Sequence, residues 1–244
     1  MPPHLEPVVA EMVQRLTAAL QDDLRAIILY GSAASGHYHP KKSNVNALVI
    51  TSRHTATGWE RLQPFAKAWL RHHVGLPLWF TETEWQTWAR SFPIEFLDIQ
   101  AHHRVLYGED VVAALPIDRA RLTWQCESEL RGKLLCLRQA LIAQPPRDAL
   151  QQMLERSIAS LVPVFRALLH LRGHAPLAQS QEIVAAVARV YGVPGDAFGE
   201  LLQIKAGRAR ESHARLRRAL ARSLAALEQL STAADRLSAP PAHA

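Results

Sequence analysis

The sequence predicts an α/β layer followed by an all-helical bundle, and three observations carry that reading. Short, continuously apolar runs alternate with helix-spaced segments up to Pro116. Beyond Pro116 the strand signals stop and only helical spacing remains. Charge divides at the same place: the chain to Pro116 has ten basic and eleven acidic residues, whereas the remainder has eighteen against eleven. The domains expected are 1–116 (α/β), 117–237 (helical bundle) and 238–244, an unstructured tail.

Taking the elements in order, Leu5, Val8, Val9, Met12, Val13, Leu16, Leu20 and Leu24 form the stripe of a first helix expected over 4–24. Ala26, Ile27, Ile28, Leu29 and Tyr30, ended by Gly31, read as a buried strand. Ala47, Leu48, Val49 and Ile50 give a second strand, and 76–80 a third, with helical spacing over 58–73 between them. Thr81 and Glu84 have the spacing of a capping box, in which each side chain satisfies the other's exposed amide. Residues 94–99 (Ile-Glu-Phe-Leu-Asp-Ile) predict a fourth strand and 105–108 a fifth. In the second half, Asp118 is placed to cap a helix through Ile142, and Pro145-Pro146 ends it. Helices follow over 147–172, with a kink expected at Pro163, and over 181–191, 196–206 and 211–230.

Composition excludes several classes. The apolar share of 48% and charged share of 20% describe an ordinary globular chain. No apolar run approaches the roughly 20 residues of a membrane helix, and the first residues lack a secretory pattern, so a cytoplasmic protein without a membrane partner is expected. Cys126 and Cys136 lie ten residues apart in one predicted helix, about 15 Å along its axis, too far for a disulfide.

The chemistry concentrates in 29–50. A strand ends in Gly31-Ser32, Gly36 follows, and a loop with Lys41, Lys42 and Ser43 leads to Asn44-Val45-Asn46 at the start of the next strand. Gly31 lets backbone approach a phosphate closely, and the Ser32 hydroxyl can hydrogen-bond its oxygens. Residues two apart on a strand point to one face, so Asn44 and Asn46 aim together.

This layout resembles the nucleotidyltransferase superfamily, including its minimal and aminoglycoside nucleotidyltransferases, over residues 26 to about 110. There a Gly-Ser turn precedes an Asp-x-Asp pair. The resemblance implies an N-terminal nucleotidyltransferase-like α/β domain (a short mixed sheet with flanking helices) followed by an all-α helical bundle. It implies nucleotide binding by Gly31, Ser32, Lys41, Lys42 and Ser43, and metal-binding positions at 44 and 46, completed by a carboxylate from a later strand. Asp98 matches that third position and Glu95 is the alternative, on the opposite strand face. A helical second domain implies a homodimer surface.

The departure from the family lies at the metals. Asn44 and Asn46 offer neutral amide oxygens where magnesium favours carboxylates. Unit charges at 4 Å interact by about 4 kcal/mol at an effective dielectric of 20, so losing two anionic ligands should cripple dication binding. His37 and His39 are imidazoles, poor magnesium ligands. A chain inactive in two-metal transfer is therefore expected, binding a nucleotide or nucleic acid or serving as a regulatory partner, with Asp98 as the surviving acid. Magnesium enters only if activity persists, as in the alternative of an active transferase with an unusual metal site. A further alternative rests on the basic stretch Lys205, Arg208, Arg210, Arg215, Arg217, Arg218 and Arg222. Arg208 and His213 have the spacing of the Arg-x4–6-His motif of HEPN ribonucleases, with Arg208 as phosphate stabiliser and His213 as acid or base.

Overall fold

The two uninterrupted apolar runs become the central strands of a four-stranded sheet. In a computed structural model that describes residues 5–36, 38, 44–207 and 210–235, save the Trp59 side chain, the chain divides into two compact units, Met1–Ile117 and Asp118–Ala244.

In the first unit α1 (Glu6–Leu20) leads into β1 (Leu24–Tyr30). There follow β2 (Asn46–Thr51), α2 (Ala56–Arg71), β3 (Leu78–Thr81), α3 (Glu82–Trp88), α4 (Pro93–Ala101) and β4 (His103–Gly108). The strand order is β3-β2-β1-β4, with β1 antiparallel to both neighbours and β3 parallel to β2. The sheet is thus small and mixed, as expected.

Alternation along β1 and β2 sends side chains into two cores. Ile27, Leu29, Val45, Ala47 and Val49 join Met12, Leu16 and Trp69 from α1 and α2. Ala26, Ile28, Leu48 and Ile50 join Phe80, Trp85, Phe96 and Ile99 on the other face. Two-sided burial explains why these strands read as unbroken apolar runs. Trp85 stacks on Phe96 with centroids 4.3 Å apart.

The capping box forms as spaced: Glu84 N bonds Thr81 Oγ1 at 3.2 Å, and Thr81 N bonds Glu84 Oε2 at 2.8 Å. One expectation is overturned. Residues 94–99 are not a strand but the body of helix α4, opened by Pro93 in its first turn. The run Ile-Glu-Phe-Leu-Asp-Ile suits either period, and burial of Ile94, Phe96, Leu97 and Ile99 decides for the helix. Residues expected as a fifth strand belong to β4, the fourth.

The second unit contains, among the described residues, α5 (Arg119–Ala143), α6 (Arg147–Leu171), α7 (Ser180–Tyr191), α8 (Gly195–Ala206) and α9 (His213–Asp235). Asp118 caps α5, its Oδ1 accepting from Ala120 N at 2.9 Å and Arg121 N at 3.1 Å. Phe165 of α6 meets Phe198 of α8 edge-on with centroids 4.9 Å apart, in a core that also holds Leu122, Leu130 and Leu227. α6 continues through Pro163 as one element. The tail 238–244 lies outside the described residues. No helix among the described residues is long and apolar enough to cross a membrane.

Candidate functional site

The site is built where β1 ends and β2 begins. Gly31 has φ +75°, a left-handed conformation that favours glycine, and its N–H donates to the His102 carbonyl at 2.9 Å. The chain then turns through Gly31–Ala33, with the Gly31 carbonyl accepting from Ala34 and Ser35, each at 3.0 Å. Ser32 is half-buried in this turn.

Asn46 pairs directly with Tyr30 across the β1–β2 ladder, and Tyr30 pairs with His103 of β4. The three side chains therefore form a row on one sheet face, the face covered by Phe96 and Ile99 of α4. Asn46 is half-buried between two glycines. A Cβ on Gly31 would stand 3.6 Å from its Nδ2, and one on Gly75 would stand 3.2 Å from its Oδ1. Val45 is buried on the opposite face, and Asn44 before it is exposed. Among the described residues, the side chains of Tyr30, Ser32, Asn44 and Asn46 make no hydrogen bond. Burial raises the Tyr30 phenol above its ordinary value, so it stays protonated. His103 is engaged instead: its Nδ1 lies 2.9 Å from Gln100 O and its Nε2 3.1 Å from Asp110 Oδ2.

Of the residues singled out in the sequence, the fold brings Gly31, Ser32 and Asn46 together. Lys41, Lys42 and Ser43, with His37 and His39, lie outside the described residues. Asp98 is on helix α4 rather than on a strand, half-buried with its Oδ1 shielded from solvent. Glu95 is not on an opposite face from Asp98, because residues three apart on a helix are neighbours.

The segment expected as the strand bringing a third carboxylate, 94–99, is helix α4, so no strand brings one. β3, beside β2, places Leu78 against Leu48, with 41% of Leu78 exposed. None of the four strands contains an aspartate or glutamate. Among the described residues no group of three or more His, Cys, Asp or Glu side chains is placed to hold a metal ion. Asn44 and Asn46 therefore do not fit the two-magnesium arrangement, which needs anionic oxygens. A separate cleft of about 410 Å³, lined by Ile50, Trp85, Arg90 and Leu115, opens at the far end of β2 from Asn46.

In the second unit His213 is the exposed first residue of α9, and Arg208 lies outside the described residues. The basic stretch is largely paired. Arg210 meets Asp148 at 2.7 Å, Arg215 meets Glu211 at 2.8 Å, and Arg222 meets Glu200 at 2.9 Å as well as Asp196. Arg217 and Arg218 form no ion pair among the described residues.

Sequence reasoning missed Tyr30 and Gly75. Only the ladder register shows Tyr30 beside Asn46, and only the return of the chain after α2 brings Gly75 against the amide.

The fold is that of a nucleotidyltransferase-like domain followed by a helical region. The chain is similar in structure to the spectinomycin adenyltransferase AAD(9) from Enterococcus faecialis, solved with ATP and spectinomycin. The TM-score is 0.58 at 13% sequence identity, covering 90% of this chain and 98% of that one. No protein-family model and no curated protein sequence matches the chain.

Proposed function

We propose that the first unit binds a nucleotide or nucleotide-like ligand without a divalent metal and does not perform two-metal nucleotidyl transfer. One observation carries this reading: the face that would hold the metals presents the Asn46 amide, wedged between Gly31 and Gly75, in a sheet without a carboxylate. Amides neither attract a dication strongly nor repel an anion, so such a face suits a ligand that arrives metal-free. A nucleotide is carried over from AAD(9), whose structure contains ATP. Gly31 and Ser32, with Lys41, Lys42 and Ser43, are assigned to it, and Asp98 on α4 is the acid that remains of the expected set.

Thermal-shift measurement with each nucleoside triphosphate, in EDTA and in magnesium, tests this. The expected result is a rise in Tm that is equal in both. A rise confined to magnesium, or nucleotidyl transfer from labelled ATP that Asp98→Ala abolishes, favours the active transferase instead. No response to any nucleotide removes the ligand.

For the partner we propose a second copy of this chain, meeting along α5. Trp124, Leu135 and Ile142 are 69%, 59% and 84% exposed. Trp124 and Ile142 are five helical turns apart, and Leu135 falls on the same side between them. An antiparallel two-fold pairing sets each Trp124 on the other copy's Ile142, with the axis at residue 133 and the two Leu135 side chains about 6 Å apart along the helices. The flanking cations are neutralised within the unit, Arg131 by Glu127 and Asp235 and Arg138 by Glu228, so like charges do not oppose the approach. Gly132, in the same helix, has open space where its Cβ would be. Sedimentation equilibrium should show a dimer that Leu135→Asp dissociates; a wild-type monomer at all concentrations would remove the proposal.

A further inference from the structure

Tyr30 is the polar group on the sheet face that the nucleotide reading leaves without a role. It pairs with Asn46 in the antiparallel ladder, which puts their Cβ atoms roughly 5 Å apart on one face. Its ring packs against Ile28, Leu48 and their neighbours, while its hydroxyl makes no hydrogen bond among the described residues. The Asn46 amide beside it is equally uncommitted and is held in place by the close backbones of Gly31 and Gly75. Together they present a phenol donor, an amide donor and an amide acceptor, all uncharged.

Beyond Asn46 the wall is apolar. Leu78 lies next to Leu48 in the β2–β3 pairing, and Phe80 follows on the same face. A metal-bound triphosphate gains little from neutral donors beside an apolar strand. A flat, uncharged ring system with hydroxyl and ring-nitrogen edges uses both halves of such a surface.

We propose that Tyr30 contacts the ligand, and that with Asn46 it reads the uncharged nucleoside part, ribose and base, rather than the phosphates. This rests on the nucleotide reading above. The phosphates then fall to the Gly31-Ser32 turn and contribute less of the affinity than in a metal-dependent site.

The test is calorimetry in EDTA on the full chain, with adenosine, guanosine, cytidine and uridine alongside their triphosphates. Wild type should bind at least one nucleoside within about tenfold of its triphosphate. Tyr30→Phe should weaken that binding roughly 3- to 10-fold, the range of one neutral hydrogen bond. The same variant should leave Tm unchanged, because no hydrogen bond within the described protein is lost; a merely structural role would lower Tm and spare affinity. Tyr30→Phe and Asn46→Ala should also be non-additive, as expected for two side chains serving one ligand. Binding of triphosphates without nucleosides, or an affinity indifferent to Tyr30→Phe, overturns the inference and leaves the nucleotide reading standing. If neither class binds, the nucleotide reading fails and this inference with it.

Discussion

The Nδ2 of Asn46 stands 3.6 Å from the point a Cβ on Gly31 would occupy, an ordinary contact distance. Gly31 is thus required by its backbone and not by crowding: at φ +75° an L side chain is strained by about 1–2 kcal/mol. Gly108 differs. Its φ is +73° and a Cβ there would fall 1.8 Å from the Arg25 carbonyl oxygen, inside the β1–β4 pairing. Denaturant unfolding should rank Gly31→Ala as mildly destabilising and Gly108→Ala as severely so, to the point of little folded protein. Equal losses would show that the approach at Gly108 relaxes freely.

Restoring charge at the metal positions should restore metal binding without restoring chemistry. Asn44→Asp combined with Asn46→Asp places two carboxylates separated by one residue at the entry to β2, a pair that repels itself until a cation arrives. Its Tm should fall in EDTA and recover in magnesium, while wild type responds to neither. With no aspartate or glutamate on any of the four strands to complete the set, no nucleotidyl transfer should appear. A wild-type protein stabilised by magnesium alone would contradict this.

The cap of α3 makes one contribution to stability depend on pH. Glu84 accepts from Thr81 N at 2.8 Å, from Thr81 Oγ1 at 3.1 Å and from His54 Nε2 at 2.6 Å. The Thr81 backbone hydrogen bond, above all, draws its carboxyl below the ordinary 4.5, with burial opposing and His54 assisting. A carboxyl lowered on folding stabilises fully above its unfolded value and loses that stabilisation as pH falls through the lowered one. The gap in Tm between wild type and Glu84→Gln should therefore be widest near neutrality and close in acid. Thr81→Ala, which removes the cap itself, should cost about 1 kcal/mol.

The two thiols should separate cleanly in reactivity. Cys126 is buried, and burial, with Glu127 and Glu129 adding repulsion, pushes its thiol up to about 12; Cys136 is exposed. A chromogenic disulfide reagent at neutral pH should titrate one thiol per chain until denaturant releases the second. Immediate reaction of both would mean that α5 opens readily.

Nucleic acid should bind weakly through α9. With Arg210, Arg215 and Arg222 engaged by carboxylates, Arg217 and Arg218 are the arginines of α9 left among the described residues to displace counterions from a phosphate backbone. The slope of log K against log salt for an RNA oligonucleotide should correspond to roughly two phosphates, those met by Arg217 and Arg218. A steep slope, together with cleavage lost in His213→Ala, would revive the ribonuclease alternative.

Local chemistry made much of this molecule legible. Unbroken apolar runs at 26–30 and 47–50 identified the two strands buried on both faces, because a central strand leaves no side for polar residues. The Thr81–Glu84 box and the Asp118 cap were readable because their partners lie within three residues. The run 94–99 was not, since its apolar spacing fits both periods and its packing beneath the sheet decided for a helix. Asp98 moved with it from strand to helix.

By itself, then, the sequence determined that positions 44 and 46 are neutral and that Gly31-Ser32 precedes them, because side-chain charge and backbone freedom are properties of single residues. Only the tertiary structure decided what stands beside Asn46: Tyr30 through the antiparallel register, and Gly75 through the return of the chain after α2. Those neighbours come from contacts 16 and 29 residues apart in the chain, where pairing and burial rather than local propensity choose the partner.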